Sequence, residues 1–146
     1  HVTGVYNAVY LNEEFRPHAE RAAMDGQPVG VVMLRVNEYW QLREHESSTA
    51  ADCCLNMAAG ILQLAVGPDR EKAVLARLND GFFAVVTLGT PAAKMAKVVR
   101  EAMNDSRREF NISLSRRGSF TVAIASAESG ETASWDMMLS LAQQRL

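Results

Sequence analysis

The sequence predicts an α/β (α+β) sandwich of the ferredoxin-like type, a central mixed sheet with an antiparallel hairpin, flanked by helices. Three observations carry this. "VGVVMLRVN", Val29 to Asn37, is a nearly continuous β-branched run, as expected of a central strand covered on both faces. "LARLNDGFFAVV", Leu75 to Val86, sets Asn79-Asp80-Gly81 between two apolar runs, and these residue types accept the positive φ angles of a tight hairpin turn. Helical patterns separate the remaining strands, so those strands are joined by crossovers.

Taken in order, Asn7 to Met24 reads as a helix with Leu11, Phe15, Ala19 and Ala22 or Ala23 on one face. Asp25-Gly26-Gln27-Pro28 ends it. After the Val29–Asn37 strand, Glu38 to Glu46 reads as a short amphipathic helix. Ser47-Ser48-Thr49 can cap the next one, which runs to about Val66 with Leu55, Ala58, Ile61, Leu62 and Ala65 inward. Strands Ala73–Leu78 and Phe82–Leu88 flank the turn. Pro91 opens a helix whose inner face is Ala92, Met95, Ala96, Val99 and Met103. Ser119 to Ala127 is the last strand and Thr132 to Leu146 the last helix.

At 146 residues the chain fits one domain, expected to span 1–146 and to be excised from a larger protein, since it opens on His1 without a Met. A net charge of −2 gives no general attraction to nucleic acid or to an anionic membrane. No signal peptide or long uninterrupted apolar run is read, so a cytoplasmic location is expected, with a parent protein that can still carry a membrane anchor. Cys53 and Cys54 are adjacent and have no ligand partners at metal spacing, which suits small residues of a reducing compartment. Met95, Met103, Met137 and Met138 read as core, and Tyr39, Trp40 and Trp135 as a candidate apolar surface patch.

Four segments, in order, resemble the GGDEF family of bacterial diguanylate cyclases. "HVTGVYNAVYLNEEF" is similar to the family opening x-L-T-G-L-x-N-R, with Ala8 in place of the Arg. "VVMLRVNEYWQLRE" is similar to D-x-D-x-F-K-x-x-N-D, "ARLNDGFFAVV" to A-R-x-G-G-D-E-F plus an apolar strand, and "FTVAIASA" to T-x-S-I-G-V-A. The resemblance implies a nucleotidyl-cyclase-like fold and, in intact members, condensation of two GTP into cyclic di-GMP. That reaction needs carboxylates to hold two divalent metals against the phosphoryl oxygens.

Position by position, this chain lacks them. The two acids of the first strand fall on Arg35 and Asn37; the signature glycines fall on Asn79 and Asp80, its acid on Gly81, its Glu on Phe82 and its Phe on Phe83. The guanine-reading Asn and Asp fall on Arg43 and Asp52. Arg43 cannot accept from guanine N–H groups as an Asn can. The inhibitory-site R-x-x-D falls on Arg70-Glu71-Lys72-Ala73, which keeps only the Arg, and Lys97 or Arg100 can stand for the second inhibitory-site Arg.

The expectation is therefore a degenerate domain with no catalytic residues, no bound Mg²⁺ and no other cofactor. It would serve as a regulatory or interaction module in cyclic di-GMP signalling. Its expected partners are neighbouring sensor or EAL domains, a second copy in a homodimer, or cyclic di-GMP or GTP held without turnover through Arg70, Asp52 and Arg100. Two rivals stand beside it. One is residual cyclase or hydrolase activity using Asp52, Asp80 or Asn37. The other is an anionic ligand, a nucleotide or an acidic segment, drawn by Arg35 and Arg43. The plainer alternative pairs Arg35 with Glu38 or Glu44 and closes the cleft with Phe82, Tyr39 and Trp40. Arg107-Arg108 and Arg116-Arg117 read as a solvated face rather than a nucleic-acid patch.

Overall fold

A computed structural model describes residues 5–37, 39–45, 47–67, 73–79, 81–113 and 122–146. The chain enters through β1 (Tyr6–Asn7). A helical stretch follows, made of α1 (Ala8–Tyr10), a π-helical turn (Leu11–Phe15) and α2 (Arg16–Met24). Then come β2 (Val29–Val36), α3 (Tyr39–His45), α4 (Ser48–Val66), β3 (Ala73–Arg77), β4 (Phe82–Leu88), α5 (Ala92–Ser113), β5 (Val122–Glu128), a 3₁₀ turn (Ser129–Glu131) and α6 (Trp135–Arg145). The sheet order is β1-β3-β4-β2-β5, with β1 parallel to β3 and every other pair antiparallel.

The mixed sheet with its β3–β4 hairpin is the architecture expected. The β-branched strand lies centrally between β4 and β5, and seven of its eight residues are buried. Its alternate residues feed two cores. Val32, Leu34 and Val36 join Leu75, Phe83 and Val85 beneath α4 and α5. Val31 and Met33 join Val74, Ala76, Ala84 and Val86 beneath the α1–α2 stretch and α6. Period-2 side chains placed on both faces explain why the segment reads as continuously apolar.

Two features differ from the expected elements. β1 is only two residues long, paired Tyr6↔Ala76 and Asn7↔Arg77, too short for a period-2 pattern to register. The first helix widens into a π turn, where the Arg16 N–H donates to the Leu11 carbonyl. Pro17 follows at the start of α2. A proline there offers no N–H and its ring presses on the preceding turn, which a wider turn relieves.

The helix caps fall where the polar residues stand. Asn7 accepts from the Tyr10 N–H, Ser47 from Ala50 and Ser134 from Met137. The last helix therefore begins at Trp135 rather than Thr132. Leu11, Phe15 and Ala19 are buried as expected, and so are Ala92, Ala96, Val99 and Met103. On α4, Ala51, Cys54 and Ala59 join Leu55, Ala58 and Leu62 inside, while Ile61 and Ala65 are half-buried. α4 is also long and apolar enough, by length and composition, to pass for a membrane-crossing helix, a test that a core helix passes too. Here its apolar face packs into the core beneath the sheet.

Met137 is exposed, which corrects its reading as core; the inward position on that turn belongs to Met138. The candidate aromatic patch also fails. Tyr39 and Trp135 are buried, and Trp40 alone of the three is exposed. Cys53 is exposed and Cys54 buried. The first residues of the expected Ser119–Ala127 strand and the Arg116-Arg117 pair lie outside the described residues.

Candidate functional site

The β3–β4 hairpin delivers the signature positions to one edge of a cleft. Leu78 N–H donates to the Phe82 carbonyl at 2.9 Å, and Phe82 N–H to the Asn79 carbonyl at 2.9 Å, closing a four-residue turn. Gly81 has φ +87°, a conformation that glycine adopts without strain. Its carbonyl accepts from the Val36 N–H at 2.9 Å, which ties the turn to the end of β2. A Cβ at Gly81 would lie 2.8 Å from the Cβ of Tyr39. The first residue of α3 thus occupies the space a side chain on Gly81 would need.

Arg35 and Asn37, the residues on which the resemblance places the first-strand acids, engage each other. Arg35 Nε donates to Asn37 Oδ1 at 3.0 Å. Glu44 therefore does not hold Arg35, contrary to one of the expected pairings, and Glu38 lies outside the described residues. In register, Arg35 sits between Phe82 on β4 and Ala123 on β5. Phe82 is half-buried and Phe83 is fully buried in the core. Among the described residues no group of three or more His, Cys, Asp or Glu side chains can hold a metal ion. Asp80, the one acid of the turn, lies outside the described residues.

Beside the turn is a cleft of about 330 Å³ lined by Val5, Tyr6, Asn7, Tyr39, Arg43, Arg77, Leu78 and Asn79. It is open, which corrects the expectation that Phe82, Tyr39 and Trp40 would close it: Tyr39 forms a wall and Trp40 lies outside it, half exposed. Arg43 lines it from α3, with Nη1 donating to the Tyr39 hydroxyl at 3.4 Å and the guanidinium 5.4 Å from the centre of the Trp40 ring. Tyr39 and Trp40 meet edge to face, with ring centres 5.5 Å apart. On the opposite strand, Tyr6 stacks on Tyr10 at 3.9 Å.

The remaining candidates do not converge on this cleft. Asp52 is half-buried in the first turns of α4 and is not among the lining residues. Arg100 is exposed on α5, and Arg70 lies outside the described residues. Conversely, sequence reasoning passed over Tyr6, Asn7 and Arg77 as site residues. The Asn7↔Arg77 pairing of β1 with β3 brings them to the cleft, and the only signal of it was the retained Asn of the opening motif and the Arg of the signature.

A mixed five-stranded sheet with helices on both faces, and a cleft beside a signature hairpin, define a nucleotidyl-cyclase-like α/β domain. The family model described as "Diguanylate cyclase, GGDEF domain" matches residues 1–146, and the chain belongs to the GGDEF family. Among solved structures, the GGDEF domain of FimX from Pseudomonas aeruginosa matches with a TM-score of 0.77 at 20% identity, over 98% of this chain and 87% of that one. The GGDEF domain of DgcB from Caulobacter crescentus, solved in complex with c-di-GMP, matches with a TM-score of 0.82 at 15% identity, over 99% and 84%. The diguanylate cyclase SiaD from P. aeruginosa, solved with its activator SiaC, matches with a TM-score of 0.78 at 19% identity, over 99% of this chain but 54% of that one.

Proposed function

We propose that this chain is a catalytically inactive GGDEF domain that acts as a regulatory or interaction module in cyclic di-GMP signalling. The observation that carries the reading is the state of the metal positions. Arg35 and Asn37 are hydrogen-bonded to one another, and Gly81 has no side chain and no room for one. Divalent metals in phosphoryl transfer are held by carboxylate oxygens, and a guanidinium at the first such position repels a dication. Tyr39 also stands where a side chain at Gly81 would need room, which supports the loss of a metal site on steric as well as chemical grounds.

The test is GTP with Mg²⁺ or Mn²⁺ and the purified chain, followed by chromatography of the products. No cyclic di-GMP and no hydrolysis product above a buffer control is the expected result. Metal-dependent turnover that disappears in Asp80→Ala would overturn the reading in favour of residual catalysis.

One observation favours a second reading, ligand binding without turnover. The cleft persists beside the altered turn, and two arginines line it. That FimX and DgcB share the fold supports a role alongside cyclic di-GMP signalling proteins, and SiaD with SiaC illustrates that a protein containing this fold can carry a protein partner.

A further inference from the structure

The charge of the cleft is the reverse of what metal-assisted phosphate binding needs. Its described lining contains Arg43 and Arg77 and no carboxylate. Arg77 is half-buried on β3, and among the described residues its side chain has no hydrogen-bond or ion-pair partner, which leaves its donors for a ligand. Arg43 is held differently: the Tyr39 hydroxyl and the Trp40 face fix its plane. Two guanidiniums lining one cleft, one of them held in plane, suit phosphoryl oxygens, which accept two parallel N–H bonds from each fork.

The rest of the lining speaks to what the anion is attached to. Tyr6 and Tyr39 line it with aromatic rings, Asn79 carries an amide that can both donate and accept, and Asn7, whose Oδ1 caps the first helix, brings its NH₂ donors. The volume of about 330 Å³ lies at the small end of ordinary ligand sites. Asp52, the one retained base-reading residue, is outside the lining, so no carboxylate is in place to accept both N–H groups of guanine.

We propose that this cleft binds a single nucleoside diphosphate as the free anion, with Arg77 and Arg43 taking the place of a metal, and that Mg²⁺ opposes binding instead of supporting it. The proposal rests on the reading of the cleft as a site of binding without turnover. Mg²⁺ complexed to the phosphates removes the charge that the arginines attract, and it brings a dication to a cleft with no described acid. Discrimination between guanine and adenine is weak, because the acid that would enforce it lies elsewhere.

The experiment is calorimetric titration of the chain with GDP, ADP and pyrophosphate, each in EDTA and each with excess Mg²⁺. Both nucleotides are expected to bind in EDTA, within about tenfold of one another, and to weaken about fivefold or more with Mg²⁺. Arg77→Gln is expected to weaken them by about tenfold or more, the scale of one charge-assisted hydrogen bond. Arg43→Gln, at an exposed position whose change leaves the core untouched, should do the same in the same direction. Silence of both nucleotides in EDTA, tighter binding with Mg²⁺, or full binding in both Arg variants would each overturn the proposal. Heat from pyrophosphate alone would overturn its nucleoside part. Failure here is distinct from failure of the inactive reading, which falls only to metal-dependent turnover of GTP.

Discussion

At opposite ends of the molecule two glycines are each pressed against a neighbour, and the two contacts serve different purposes. Near the start of β2, a Cβ on Gly30 would lie 2.5 Å from the Cβ of Ala92. That closeness seats the first turn of α5 on the sheet, where Glu128 Oε1 accepts the Ala92 N–H at 2.8 Å and the buried Thr87 hydroxyl donates to the Thr90 carbonyl at 2.9 Å. Every polar group named there is partnered within the chain. At the other end Gly81 meets Tyr39, but the side chain of the neighbouring Arg77 has no hydrogen-bond or ion-pair partner among the described residues. One end is closed by its own hydrogen bonds, and the other is left with unmet donors around an open cleft. Folding needs the first, and the fold tolerates change at the second.

The largest effect that tests this contrast compares adjacent residues of the signature. Phe83 is fully buried among β2, β3 and the helices above them, whereas Phe82 is only half-buried. Phe83→Ala is expected to cost about 3–5 kcal/mol in denaturant unfolding, the range for a large core aromatic. Phe82→Glu, which restores the family residue, should cost no more than about 1 kcal/mol. Equal costs would break the claim that fold and chemistry have separated at this hairpin.

A second test asks whether the acidic position is blocked or merely vacant. Gly81→Asp places a side chain at a positive φ and against Tyr39, so a loss of about 2–3 kcal/mol is expected. Combining it with Tyr39→Ala removes the collision. The cycle should then show a favourable coupling of roughly 1–2 kcal/mol, measured by the same unfolding experiment. Strict additivity would mean that Tyr39 does not occupy that space.

How much of this was legible in the residues follows the same division. The β-branched run of β2, the hairpin turn closed between Asn79 and Phe82 and the Ser47 cap rest on local chemistry, and they appear where the sequence places them. Arg35, Asn37 and Gly81 could be recognised as departures from the motif one residue at a time. The cleft could not. It depends on Tyr6 and Asn7 pairing with a strand about seventy residues away, and a two-residue strand leaves no periodic trace. The contact of Tyr39 with Gly81 is likewise a packing fact. On α6 the core takes Met138 and leaves Met137 exposed, and nothing local in two adjacent methionines says which of them turns inward.

At the closed end, removing the Glu128 carboxylate leaves the Ala92 N–H without its acceptor and takes a negative charge from the start of α5. Glu128→Ala should therefore cost about 1 kcal/mol in thermal or chemical unfolding, the scale of a helix cap reinforced by the helix dipole. The cleft lies beyond the other end of the sheet, so ligand binding in this variant should be unchanged. A change in binding without a change in stability would show that the two ends are coupled.

The smallest expected effect is a pH dependence beside that cap. The Arg145 guanidinium bonds the Glu131 carboxylate and also donates to the Ser126 carbonyl at 2.8 Å, pinning the end of α6 to the 3₁₀ turn. The hydrogen bond from Arg145 holds the Glu131 carboxyl below its ordinary value of 4.5, and the Glu128 N–H assists. A carboxyl lowered in the folded state binds its proton more weakly there than in the unfolded chain. Its stabilising contribution is therefore complete above the ordinary value and is lost as pH falls from there through the lowered value. Both groups are solvent-exposed, so the contribution is small and salt weakens it. Carbon-detected titration of the Glu131 carboxyl should give a midpoint below the ordinary 4.5, moving back towards it in Arg145→Gln. A midpoint at the ordinary value in the unaltered chain would mean that α6 is held by its apolar face alone, through Trp135, Met138 and Ala142.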